Sequence, residues 1–152
     1  VSVLAPHLRK EGVTSFVEPC AGASVLANQL MDQGLECFGQ YDIAPDSPDV
    51  VKCDAFYLRG SAHPLITNPP WSRGILHPLI EHLRSMNDTW LLFDAPWAFT
   101  DQAAPYLPYC SKIIAVGRLK WFPGTDHVHT KDVAWYRFGR HETQTEFIGR
   151  ES

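Results

Sequence analysis

Asn68-Pro69-Pro70-Trp71 sets an amide, two prolines and a large aromatic in succession, directly after the apolar run Pro64-Leu65-Ile66-Thr67. Two consecutive prolines forbid both a helix and further ladder pairing, so a strand arriving from the core must stop there. The amide, a rigid backbone carbonyl and an aromatic ring are then held together at a strand's carboxyl end, the edge at which open α/β sheets bind ligands. The chemistry that suits such a set is attack by a poorly nucleophilic, conjugated amino group. The lone pair of an exocyclic base amine is delocalised into its ring. If Asn68 Oδ1 and the Pro69 carbonyl each accept one N–H, the nitrogen is held pyramidal and its lone pair is freed, while Trp71 can stack on the ring. A Pro-Pro turn capped by a buried Trp is the competing reading, and four specified positions in a row after a strand weigh against it.

Three further turns end apolar stretches with acidic or small residues. Glu18-Pro19-Cys20-Ala21-Gly22-Ala23-Ser24 follows the first strand-like run. Asp42-Ile43 closes the second, where an acidic side chain can accept from ribose hydroxyls; a surface turn is the plainer account. Asp54-Ala55-Phe56 closes the third. In this order, with Asn68–Trp71 fourth, the chain resembles the S-adenosylmethionine-dependent amino-methyltransferases, which carry Asn/Asp/Ser-Pro-Pro-aromatic in their catalytic loop. DNA adenine-N6 methyltransferases are the best-populated group among them.

The resemblance implies roles. Asn68, Pro69, Pro70 and Trp71 would form the catalytic loop. Glu18, Pro19, Cys20, Ala21 and Gly22 match the family's Asp/Glu-Pro-x-x-Gly-x-Gly loop and would approach the cofactor. Ser24 replaces its second glycine, a change tolerable if Ser24 caps the following helix. Asp42 and Ile43 would meet the ribose. Asp54 would take the adenine amino group of the cofactor, with Ala55 and Phe56 packed beside that ring and Asn68 closing the site. Trp97 could line the pocket floor or fill the core. Trp121 or Phe122 would face Trp71 across a target base, with an aromatic edge of the core as the even alternative. Lys120 and Lys131 beside them would meet phosphate.

The elements that must position these residues can be read from hydrophobic spacing. Helices are expected near Ser2 to Lys10, over Ser24 to Gln33 and over Ile75 to Met86. Strands are expected at Thr14–Glu18, Leu35–Ile43, Val50–Cys53, Leu65–Thr67, Trp90–Phe93, Lys112–Val116 and Val133–Phe138. Residues 55–63 show no helical period, and 101–110 is broken by prolines. Alternating strands and helices imply a mostly parallel, doubly wound sheet. The resemblance makes it a Rossmann-like class I methyltransferase fold, α/β, with an antiparallel last strand. The loop 117–131 is long enough to suspect function.

With 152 residues and no linker or repeat, the chain reads as one catalytic domain over 1–152. Its first residue is Val rather than Met, as in a chain lacking its initial residues. No segment approaches the roughly 20 apolar residues of a membrane span and no signal-peptide pattern opens the chain, so a cytoplasmic protein is expected. Cys20, Cys37, Cys53 and Cys110 form no C-x-x-C pair and read as free thiols. The histidines lack zinc spacing, so no metal is expected. Net charge is −4, yet residues 111–140 carry Lys112, Arg118, Lys120, Lys131, Arg137 and Arg140 against Asp126 and Asp132, a stretch suited to phosphate contacts.

The reading is a methyltransferase that uses S-adenosylmethionine on adenine N6 in DNA. It leaves no room for a target-recognition domain, so sequence preference would be relaxed or short, or would depend on a partner or a second copy of the chain. Cytosine N4, adenine in RNA or a protein glutamine are the rival amines. An inactive cofactor-binding partner subunit and a non-catalytic nucleic-acid binder are the rival classes.

Overall fold

The computed structural model describes residues 1–119 and 131–152. The elements in chain order are α1 (Ala5–Lys10), β1 (Ser15–Glu18), α2 (Val25–Asp32), β2 (Glu36–Asp42), β3 (Val51–Lys52), β4 (Leu65–Thr67), α3 (Arg73–Met86), β5 (Thr89–Asp94), β6 (Cys110–Gly117), β7 (Val133–Phe138) and β8 (Glu146–Ile148). All strands join one sheet in the order β3-β2-β1-β4-β5-β7-β6-β8. β4 and β5 are buried at every position, as strands covered on both faces must be. β3, two exposed residues long, tapers one edge. β7 runs antiparallel to both β5 and β6, and the remaining pairs are parallel.

Two layers cover the sheet. On one face Leu4, Leu8, Ala27 and Leu30 of the α1–α2 side pack on Phe16, Ile66, Trp90, Leu92 and Trp135. On the other, Leu76, Leu79, Ile80 and Leu83 of α3 cover Val17, Leu65, Leu91, Phe93, Tyr136 and Phe138. The spacing of these leucines and isoleucines on α3 gives one apolar stripe, as a helix lying on a sheet requires. Where a crossover helix would follow β5, short 3-10 turns occupy Ala95–Phe99, Asp101–Ala103 and Leu107–Tyr109. Pro96, Pro105 and Pro108 remove the backbone donors that a continuous helix would use. Among the described residues no helix is long and apolar enough to cross a membrane.

Two features depart from the sequence-based expectation. β8 is an added edge strand on β6, parallel to it; three residues are too few to show a period. The basic residues of 111–140 also divide between opposite edges. β6 begins and β7 ends at the edge away from the strand carboxyl ends of β4 and β5. There Lys112 pairs with Glu11, and Arg137 pairs with Glu11 at 3.3 Å and Asp88 at 2.8 Å. Arg140 donates to the Ser85 and Met86 carbonyls at the end of α3, which suits the negative end of a helix dipole. These three cations serve the scaffold.

Trp97 belongs to the core. It is fully buried, meets Phe93 and Tyr136 edge-on at 5.0 and 5.3 Å, and donates its indole N–H to His77 Nε2 at 3.0 Å. It offers no surface to a substrate, which corrects its expected place on a pocket floor. Trp97→Ala should lower the unfolding free energy by roughly 3–5 kcal/mol, read from urea denaturation. A loss under about 1 kcal/mol would show that the aromatic cluster does not hold this face together.

Candidate active site at the strand carboxyl edge

The tetrapeptide Asn68–Trp71 begins at the residue after β4, whose three side chains are all buried. Pro69 is buried, Pro70 is exposed, and Asn68 and Trp71 are half-buried. Trp71 is anchored rather than loose. Its Nε1 donates to Asn68 Oδ1 at 3.1 Å and to the Leu92 carbonyl of β5 at 3.2 Å. The ring packs against apolar residues of both core layers.

Arg73 fixes the loop from its other end. It donates to the Trp71 carbonyl at 3.2 Å and makes a two-pronged pair with both oxygens of Asp94, each at 2.8 Å. Asp94 ends β5 and is almost fully buried. Tyr136 of β7 donates to the Asp94 and Ala95 carbonyls at 2.9 and 3.0 Å. Sequence reasoning missed this pair, although a cation two residues past Trp71 and an acid at the next strand's end were visible. Hydrogen bonding to Asp94 holds the Arg73 guanidinium pKa above its ordinary value, so the guanidinium stays protonated.

β1 lies beside β4, which sets the Glu18–Gly22 turn next to the tetrapeptide. Thr67 Oγ1 donates to the Cys20 carbonyl at 3.2 Å and ties the two turns directly. Gly22 has φ +54°, a conformation that favours glycine, and a side chain built there would meet open space. Asp42, at the end of β2, accepts the Gly22 N–H at 2.9 Å and the Ala44 N–H at 2.8 Å. The acid expected to meet ribose therefore also shapes the glycine turn. Ile43 beside it is exposed. Asp54 Oδ1 accepts the Phe56 N–H at 3.0 Å and opens the 3-10 turn Ala55–Tyr57, with Ala55 buried and Phe56 half-buried.

Ser24 does not cap α2, contrary to expectation. It sits at the N-cap position in the left-handed region with φ 65°, and its hydroxyl donates to Gln40 Oε1 at 2.6 Å.

Glu18 is the most unusual group in this region. It is 1% exposed, and its Oε1 has no hydrogen-bond partner. Burial pushes its carboxyl from an ordinary 4.5 to about 8. Cys20 is likewise pushed up, to about 12, by burial and the neighbouring Asp42, which removes it as a thiolate nucleophile. Among the described residues no group of three or more His, Cys, Asp or Glu is placed to hold a metal ion.

The structure thus brings Glu18, Pro19, Cys20, Ala21, Gly22, Asp42, Ile43, Asp54, Ala55, Phe56 and Asn68–Trp71 to one edge of the sheet. Lys131 is exposed near the start of β7, at that same edge. Lys120, Trp121 and Phe122 lie outside the described residues.

No family model matches the sequence, and no curated protein matches it. Solved structures do resemble it. A candidate RNA methyltransferase from Pyrococcus horikoshii superposes with a TM-score of 0.69 at 13% identity, over 92% of this chain and 83% of its own. The 23S rRNA methyltransferase ErmE gives 0.58 at 14% identity, over 94% and 68%. A dimethyladenosine transferase from Plasmodium falciparum gives 0.56 at 14% identity, over 90% and 60%. At such identities the likeness is one of fold. The fold of this chain is the Rossmann-like class I methyltransferase fold.

Proposed function

We propose that the chain is an S-adenosylmethionine-dependent methyltransferase that acts on the N6 amino group of adenine in DNA, with relaxed or short sequence preference. One observation carries the reading. Asn68–Trp71 leaves β4 beside the Glu18–Gly22 turn, and Thr67 joins the two by a hydrogen bond.

The residues present fit the cofactor. Glu18 Oε1 is buried and without a hydrogen-bond partner, and its carboxyl, once ionised, suits a cationic ligand group. Gly22 leaves open space at the turn. Glu18, Gly22, Asp42 and Asp54 would hold the cofactor, with Ile43, Ala55 and Phe56 beside it. When bound, S-adenosylmethionine supplies a methyl group already activated by the sulfonium charge, so the protein has no covalent intermediate to form.

The remaining work is positioning and electrostatics. Asn68 Oδ1 and the Pro69 carbonyl each accept one N–H of the substrate amine, which holds the nitrogen pyramidal with its lone pair directed outward. Trp71 supports the ring that carries the amine. A duplex adenine would have to leave the stack, at about a few kcal/mol.

Of the basic residues in the 111–140 stretch, Lys112, Arg137 and Arg140 face the opposite edge, which leaves Arg118, paired with Asp132 at 3.9 Å, and Lys131 among the described residues of that stretch. A thin phosphate grip fits a catalytic core that relies on a second copy or a partner for DNA affinity and specificity.

The deciding experiment incubates the protein with labelled S-adenosylmethionine and, separately, duplex DNA, single-stranded DNA, RNA and protein extract, followed by digestion and mass spectrometry. N6-methyladenine in DNA is expected. N4-methylcytosine alone, methylated RNA alone or methylglutamine alone would each replace the substrate named here.

Asn68→Ala should keep cofactor affinity within about twofold and lower single-turnover methyl transfer on the order of 10²-fold, as loss of one positioned polar group in a transition state does. Rates within a few-fold of wild type would remove Asn68 from the chemistry.

Glu18 gives a pH dependence with a definite sign. Its folded-state pKa is raised, so its stabilising contribution is complete below about 4.5 and is lost as pH rises through about 8. A cationic ligand favours the carboxylate, so cofactor binding should release a proton near neutral pH and tighten up to about pH 8. Calorimetry in buffers of different ionisation enthalpy measures that proton. Glu18→Gln should abolish both effects, and an unchanged proton release in that variant would assign the linkage elsewhere.

A further inference from the structure

The indole N–H of Trp71 points at the catalytic amide, and this contact has chemical content beyond ring stacking. An indole nitrogen can only donate. An amide presents one accepting atom, its oxygen, and a nitrogen that only donates. The 3.1 Å contact from Trp71 Nε1 to Asn68 therefore fixes which end of the amide faces the ring: the oxygen lies toward Trp71 and the NH2 group away from it. Rotation by a half turn would set N–H against N–H.

Trp71 itself has little freedom to follow the amide. The same N–H also reaches the Leu92 carbonyl at 3.2 Å, and Arg73 holds the Trp71 carbonyl while locked to Asp94. The amide is thus referenced to β5 through the indole, independently of its own attachment to β4.

We infer that Trp71 is a positioning residue for Asn68: its indole N–H holds the amide oxygen oriented as an acceptor for the substrate amine. This rests on the proposed amino-methyltransferase reading and adds to it a requirement for tryptophan rather than any aromatic. One lone pair of Oδ1 is taken by the indole and one remains for a single substrate N–H. A Phe or Tyr at position 71 would keep a stacking face and lose the N–H. The amide would then sample both flips, and its NH2 group would oppose the amine in one of them.

The test uses the full chain with cofactor and an adenine-containing oligonucleotide. Trp71→Phe should lower kcat by roughly tenfold, the effect of losing one hydrogen bond that orients a reacting group. KM for the oligonucleotide and cofactor Kd should stay within about twofold, because a stacking ring remains. A purely stacking role predicts the reverse, an unchanged kcat with any loss in KM, and that result would overturn the inference.

A second measurement does not depend on activity. In 15N-labelled protein the Trp71 indole resonance, assigned by its disappearance in Trp71→Phe, should shift in Asn68→Ala and be retained near its wild-type position in Asn68→Asp, which keeps an accepting oxygen. An indole resonance unmoved by Asn68→Ala would overturn the inference whatever the activity. Wild-type protein that methylates no adenine substrate would instead refute the substrate reading, with the indole contact still decided by the resonance.

Discussion

The site depends on β1 and β4 being neighbours. From β1 the sheet grows outward through β2 and β3 in one direction and through β4 and β5 in the other. At such a reversal the loops leaving the two central strands part to opposite sides and open a crevice. Here those loops are the Glu18–Gly22 turn and the Asn68–Trp71 tetrapeptide, so their groups become adjacent without either loop being long. The Thr67 hydroxyl bonded to the Cys20 carbonyl then holds the two sides at a set separation. Any change in the β1–β4 register would move one set of groups relative to the other along the strand direction.

The Arg73–Asp94 pair performs the matching task between β4 and β5. Burying a charge such as that of Asp94 is costly, and a pair formed around it contributes net stability only when geometry and further hydrogen bonds are good. Both conditions are met: the contact is two-pronged at 2.8 Å, and Arg73 also binds the Trp71 carbonyl. Tyr136 secures the backbone on the other side of Asp94. The gain is less in total stability than in definition. A loop containing two prolines cannot form a ladder with β5, and the ion pair supplies the cross-connection that backbone hydrogen bonds cannot.

Much of this was legible in the sequence because strand ends are marked by residues with local reasons to be there. Pro69 and Pro70 stop β4, Asp42 and Asp54 open turns by accepting backbone N–H groups, and the period of Leu76, Leu79, Ile80 and Leu83 specifies the face of α3. What was hidden depended on distance along the chain. Arg73 and Asp94 meet only once β4 and β5 pair. The basic stretch misled for a related reason. A window that spans an antiparallel hairpin averages two opposite edges, so Lys112 and Arg137 were grouped with Lys131 although the sheet separates them. β8 is held by pairing with β6 and by Thr145 bonded to the Cys110 carbonyl at 2.6 Å, neither of which three residues announce.

Ser24 shows how a departure from a motif can preserve its geometry. The backbone at position 24 turns left-handed, a region that costs an L-residue roughly 1–2 kcal/mol. Ser24 takes that conformation anyway, with φ 65°. The strain persists because the surroundings over-determine the position. The Ser24 N–H bonds the Ala21 carbonyl, its carbonyl accepts from Asn28, and its buried hydroxyl donates to Gln40. Gln40 sits two residues before Asp42 on β2, and Asp42 in turn grips the Gly22 N–H. The side chain that a glycine lacks thus becomes a brace between the turn and β2, and the same strand fixes the turn at both of its special residues. Restoring glycine at position 24 would relieve the backbone and remove the brace together, so the turn's precision and its strain have a common origin in one side chain.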